Sequence, residues 1–196
     1  MKHIFKQGEQ GKPVFLLLHG TGGDERDLLP LAEMLDPSYN VLSVKGEISE
    51  NGMARYFKRR AEGDYDLEDL EYRGQKLYDF IKESSKEYEF NLEDVILVGF
   101  SNGSNMAINL ILRESTPFQK ALLFAPLYPL DLQDNQKDLS NFKVFLSMGK
   151  QDPIVTQEQS EQVIEIFKER GAEVHETWVN SHEITQEAVL AAKEIL

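Results

Sequence analysis

"DVILVGFSNGSNMAINLIL", residues 94–112, carries an apolar run into a helical pattern through a turn with one serine between two glycines. The run "DVILV" reads as a strand and "NMAINLIL" as a helix. A strand that bends sharply into a helix at a serine projects the hydroxyl above the sheet edge, where the helix N-terminus favours developing negative charge. Gly99-x-Ser101-x-Gly103 is the nucleophile-elbow pattern, in which small residues let strand and helix approach closely. Serine is also a common helix N-cap. That role explains Ser101 but leaves the flanking glycines without a reason.

Working outward, the chain alternates strands and helices. His3 to Lys6 reads as a first strand, and "PVFLLLHG" as a strand buried on both faces, ending at His19-Gly20. "DERDLLPLAEML" reads as a helix capped by Asp24, with Leu28, Leu31, Ala32 and Leu35 on one side. "NVLSV" (40–44) is strand, and "LEDLEYRGQKLYDFIKESSKEY" is a long amphipathic helix facing inward with Leu70, Leu77, Phe80 and Ile81. "KALLFAP", "FKVFLSMG" and "EVHETWV" continue as strands; "TQEQSEQVIEIFKERG", stopped by Gly171, and "EITQEAVLAAKEIL" are helices. Strands joined by helices imply crossover connections, so the class is α/β, a mostly parallel sheet with helices on both faces. Two segments, 46–66 and 126–141, exceed the usual connections of such folds and are read as long loops.

A serine hydroxyl is a poor nucleophile without a base, so an elbow requires a histidine and an acid at the same sheet edge. Of the four histidines, His3 and His175 lie within strands and His19 closes one. His182 lies in "NSHE", just past the last strand. Asp152 follows the strand "FKVFLSM"; Asp-Pro is also a common turn starter, and Asp131, Asp134 and Asp138 are rivals in the preceding loop. Ser101, Asp152 and His182 fall in the chain order nucleophile, acid, base of an α/β-hydrolase. An oxyanion hole would take the backbone amides of Asn102 and, from "LLLHGTGGD", of Thr21. The glycine-rich loop lacks the Gly-Lys-Ser/Thr ending of a nucleotide-binding loop.

The totals narrow the partners. The length of 196 residues fits a single domain over 1–196, and a charge of −13 opposes binding to nucleic acid or to anionic membrane surfaces. With no cysteine there is neither a disulfide framework nor a thiolate metal site, and no His-Glu-x-x-His spacing occurs. "MKHIFKQGEQGK" has no apolar signal core, so a cytoplasmic location is expected.

"LLLHGTGGDERDLLPLAEML", "VGFSNGSNMA", "GKQDPIV" and "SHEI", in this order over nearly the whole chain, resemble the small phospholipase/carboxylesterase family of α/β-hydrolases, relatives of the acyl-protein thioesterases. The resemblance implies a serine esterase or thioesterase without cofactor or large cap domain, with Ser101 as nucleophile, Asp152 as orienting acid, His182 as base, and Thr21 and Asn102 at the oxyanion; the absence of metal-ligand spacing adds the expectation that no metal is used. Asn102-Gly103-Ser104 departs from the Gln-Gly-Gly that commonly follows the serine, which bears on substrate preference more than on catalysis. The segment "SVKGEISENGMARYFKRRAEGDYD" resembles a loop of one bacterial branch of the family. Within it, Tyr56 or Phe57 is expected to line the acyl pocket and Arg55 to meet a polar or carboxylate end of the substrate; a charge run such as Lys58 to Arg60 is otherwise a solvated face. The expected activity is hydrolysis of a small-molecule carboxylic ester through an acyl-enzyme. Thioester hydrolysis, a non-catalytic binding role and a homodimer joined through an exposed apolar face remain open.

Overall fold

The apolar runs of the sequence become the inner strands of one sheet. The computed structural model describes all 196 residues. In chain order the elements are β1 (His3–Lys6), β2 (Val14–Leu18), α1 (Leu29–Leu35), β3 (Asn40–Val44), the short strands β4 (Ile48–Glu50), β5 (Met53–Arg55), β6 (Arg59–Ala61) and β7 (Asp64–Tyr65), then α2 (Leu67–Glu87) and a 3₁₀ turn at Leu92–Asp94. There follow β8 (Val95–Phe100), α3 (Asn102–Leu112), β9 (Lys120–Phe124), β10 (Lys143–Gly149), α4 (Gln157–Glu169), β11 (Glu173–Val179) and α5 (Gln186–Lys193). Seven strands form the main sheet in the order β1-β3-β2-β8-β9-β10-β11. All pair in parallel except β1, which runs antiparallel along β3.

Successive side chains of a strand face opposite ways, and here both ways are covered. Val14, Leu16 and Leu18 of β2 pack with residues of α2, α3 and α4, whereas Phe15 and Leu17 pack with α1 and α5. Val95 and Leu97 of β8 repeat the first choice, Ile96 and Val98 the second. This two-sided burial is why these segments read as unbroken apolar runs. No helix is long and apolar enough to cross a membrane.

Two expectations are corrected. Asp24 caps no helix: α1 begins at Leu29, and the Asp24 carboxylate instead accepts the Arg26 amide at 2.8 Å in a turn. The reason is Pro30, which has no amide hydrogen to donate back to residue 26 and is tolerated only in a helix's first turn. The segment 46–66 is not plain loop but two small antiparallel hairpins, β4-β5 and β6-β7. Asn51 and Gly52, at φ 53° and 82°, make the tight connection of the first. Asn-Gly is the strongest short-range hairpin signal, so this element was legible. The segment 126–141 holds no helix or strand.

From β2 the chain moves outward to β3, and later returns to place β8 on the other side of β2. Such a reversal opens a crevice at the carboxyl ends of the two strands. Thr21 lies just past one and Ser101 just past the other.

Candidate active site

Ser101 joins β8 to α3 with φ 53° and ψ −116°. A non-glycine residue held on that side of the Ramachandran plot costs roughly 1–3 kcal/mol, which the surroundings must offset. Its amide donates to the Phe124 carbonyl at 2.9 Å and its carbonyl accepts the Asn105 amide at 3.0 Å, which pins both ends of the peptide. Ser101 occupies the N-cap position of α3 but makes no capping bond with its side chain. The hydroxyl is thus directed elsewhere. A Cβ on Gly103 would lie 1.9 Å from the Leu18 carbonyl oxygen, and one on Gly99 2.6 Å from the Ser104 nitrogen. The two glycines are what let helix and strands meet around the serine.

The hydroxyl meets His182. Its Oγ lies 2.8 Å from His182 Nε2, and His182 Nδ1 lies 2.7 Å from Asp152 Oδ2. A carboxylate can only accept, so the proton belongs on Nδ1, and Nε2 is left to accept from Ser101. Asp152 divides its work between its oxygens: Oδ1 accepts the amides of Ile154 and Val155, the turn role expected of Asp-Pro, while Oδ2 holds the imidazole. The rival acids stay apart. Asp131 and Asp138 accept amides two residues on, and neither they nor Asp134 bonds to His182.

His19, read from sequence only as the end of a strand, has a distinct place. It is buried, with Nδ1 donating to the Gly20 carbonyl at 2.7 Å and Nε2 accepting the Gly46 amide at 3.0 Å. Burial pulls its pKa below the ordinary 6.5, which keeps it neutral in this bridging role. It steadies the loop that carries Thr21. The same loop is tied to β5 by Gly22 N–H to the Ala54 carbonyl (2.9 Å) and by Arg55 Nη1 to Thr21 Oγ1 (2.6 Å). The Thr21 amide makes no backbone bond, and that of Asn102 opens α3, where the first amides have no partner within the helix. The residues that depart from the common elbow serve the fold: Asn102 Oδ1 accepts the Tyr56 amide at 2.8 Å and Ser104 Oγ donates to the Phe124 carbonyl at 2.8 Å.

Ser101, His182, Thr21 and Asn102 share one cavity of about 240 Å³, with Arg55 and Asn105 among its polar walls and Phe100, Leu127 and Ile154 among its apolar ones. A larger hollow, about 450 Å³, lies among residues 7–12 and 88–91 near the amino ends of the strands and holds no nucleophile-base pair. No cluster of three or more His, Asp or Glu side chains is arranged to share a metal ion.

Tyr56 and Phe57 do not line the cavity, contrary to expectation. The Tyr56 hydroxyl donates to the Val44 carbonyl at 2.6 Å and accepts the His19 amide at 2.9 Å, deep under β3. Phe57 is fully buried, edge-on to Tyr65 and beneath the Arg55 guanidinium. Tyr65 reaches the cavity in their place. Arg55 does reach it, though only 2% of its side chain is exposed, and its Nε lies 3.1 Å from Glu50. The hairpin β4-β5 folds inward and carries Arg55 with it, while Arg60 keeps the solvated position expected of the charge run.

A parallel sheet with a strained serine between strand and helix, at the carboxyl ends of its central strands, defines an α/β-hydrolase. The chain belongs to the phospholipase/carboxylesterase family, whose profile matches residues 1–196. It is 40% identical over 195 residues to "Putative hydrolase MhqD" of Bacillus subtilis (strain 168), covering 99% of this chain and 96% of that one. Among solved structures it is similar to the Bacillus cereus carboxylesterase, with 42% identity and a TM-score of 0.95 over 100% of this chain and 92% of that one. It is also similar to YahD solved with malic acid, with 34% identity and a TM-score of 0.94 over 99% and 97%.

Proposed function

We propose that the protein is a serine hydrolase of small carboxylic esters. Ser101 Oγ attacks the acyl carbon as His182 Nε2 takes its proton, and Asp152 stabilises the imidazolium that forms. The amides of Thr21 and Asn102 hold the charge on the former carbonyl oxygen, each such donor being worth about 10² to 10³ in rate. His182 then passes the proton to the leaving alcohol. Water, deprotonated by the same histidine, releases the acid from the acyl-enzyme. The observation that carries the reading is the unbroken chain from Asp152 Oδ2 through His182 to Ser101 Oγ, at 2.7 and 2.8 Å, on a serine whose side chain caps nothing. The small cavity supports short substrates, and the relative solved with malic acid puts small polar acids among the compounds to try.

A fluorophosphonate probe tests this directly. The wild type is expected to label and to hydrolyse p-nitrophenyl acetate, and Ser101→Ala to do neither. A wild-type protein that neither labels nor turns over any ester refutes the proposal and leaves a binding role.

A further inference from the structure

Buried inside an acidic protein is a guanidinium whose charge is only partly matched. Arg55 Nε reaches Glu50 Oε2 at 3.1 Å and the Phe57 carbonyl at 3.3 Å, and Nη1 reaches Thr21 Oγ1. Nη2 has no protein partner, yet it is not among the sealed polar atoms of the interior. Glu50 is shared, since Arg59 Nε lies 3.1 Å from the same oxygen. Arg59 has a second carboxylate in Glu62, at 2.6 Å, and both of these side chains also line the cavity, Glu62 being 54% exposed. Burial, and after it the neighbouring Arg59, act against the Arg55 charge more strongly than Glu50, Tyr65 and Glu62 together support it, so its pKa falls below the ordinary value. A buried charge left so is costly unless something pairs with it.

We infer that the cavity receives esters whose short acyl group carries a carboxylate, bound by the free edge of Arg55; this rests on the esterase reading above. Arg55 holds the Thr21 hydroxyl, so its guanidinium lies within one residue of the oxyanion site. The leaving alcohol departs toward His182, which must hand it a proton. Arg55 approaches from the Thr21 side and therefore meets the acyl part. A volume of about 240 Å³ falls below the usual roughly 300–1,000 Å³ of pockets for larger ligands, which limits the acyl chain to a few carbons. Asn105, on the same wall, spends its Oδ1 on the Leu127 amide and keeps its Nδ2 donor. Asp152 is turned to His182, and the Glu62 carboxylate, which also lines the cavity, is bonded to Arg59, whose charge offsets it beside an anion on Arg55. The net charge of −13 acts mainly at long range and is screened beyond about 8 Å at physiological salt, whereas a contact with Arg55 is not.

Monoethyl succinate against ethyl butyrate, its neutral counterpart of equal acyl length, provides the test, followed by titration at constant pH. The wild type should favour the hemiester in kcat/KM by about tenfold or more, the scale of one charge-assisted hydrogen bond, and succinate should inhibit ethyl butyrate hydrolysis competitively. Arg55→Gln should lose about tenfold more on the hemiester than on the butyrate, chiefly in KM, and Arg55→Lys should recover part of the difference. Equal losses on both esters would show that Arg55 only braces Thr21, and would overturn the inference. So would a wild type that neither prefers the hemiester nor is inhibited by succinate, an arm that needs no variant to fold. In either case continued hydrolysis of ethyl butyrate leaves the esterase reading intact; loss of that reading shows instead as no turnover and no fluorophosphonate labelling.

Discussion

Gly103→Ala sets helix propensity against geometry. Gly103 lies in the first turn of α3, where alanine should stabilise by up to about 1 kcal/mol. The added Cβ, however, would stand 1.9 Å from the Leu18 carbonyl oxygen, 2.4 Å from its carbon and 2.6 Å from the His19 carbonyl oxygen. These are backbone atoms of the central strand and cannot turn aside. Restoring ordinary contact requires the start of α3 to withdraw from β2 by about 1.5 Å, within the range where overpacking costs roughly 1–3 kcal/mol or more. The net expectation is a loss of about 1–2 kcal/mol, a fall in Tm of roughly 2–8 °C for a chain of this size. Because Ser101 and Asn102 sit at that helix start and Thr21 lies just past β2, the same withdrawal moves Ser101 and Asn102 away from Thr21, the other proposed oxyanion donor. A misplacement near 1 Å costs on the order of 10²-fold in rate. Thermal unfolding and kcat/KM on p-nitrophenyl acetate read the two effects together. An unchanged or raised Tm with kcat/KM within about twofold of the wild type would refute the close-approach account of the elbow.

Asp152→Asn keeps an acceptor for the Ile154 and Val155 amides but offers the imidazole an N–H donor, which favours the wrong tautomer. If the proposed mechanism holds, we expect near-normal unfolding and a kcat lower by about 10⁴, the effect of the Asp→Asn change in a Ser-His-Asp protease; a loss under tenfold would argue against the relay. Burial of His19 lowers its folded pKa, so the unfolded chain takes up the proton first. Its contribution to stability is therefore complete above about pH 6.5 and is lost as pH falls from there through the folded value. Tm measured from pH 8 to 5 should decline below that point, and less steeply in His19→Asn; parallel declines would assign the slope to other groups.

Much of the site was legible because its parts punctuate strands. Apolar runs locate β2, β8 and β10, the Val-, Thr- and Trp-bearing "EVHETWV" locates the edge strand β11, and the residues just past their carboxyl ends are Thr21, Ser101, Asp152 and His182. Local patterns also misled. Leu28, Leu31 and Leu35 keep a helical rhythm across Pro30 although the helix starts only at Leu29, and the length of 46–66 suggests a loop although Asn51-Gly52 closes a hairpin within it.

The sequence by itself determined the α/β alternation, the elbow and the places of Ser101, Asp152 and His182 just past their strands, because periodicity and turn chemistry act over a few neighbouring residues. Tertiary structure decided that Asp152 and His182, 30 residues apart, meet within hydrogen-bond distance, since the parallel pairing of β10 with β11 puts the turns that follow them side by side. It also decided what Arg55, Tyr56 and Phe57 do. Three consecutive residues part company when β5 docks on the loop after β2: Tyr56 bonds beneath β3, Phe57 fills the core, and the guanidinium between Glu50 and Thr21 is left at the wall of the cavity.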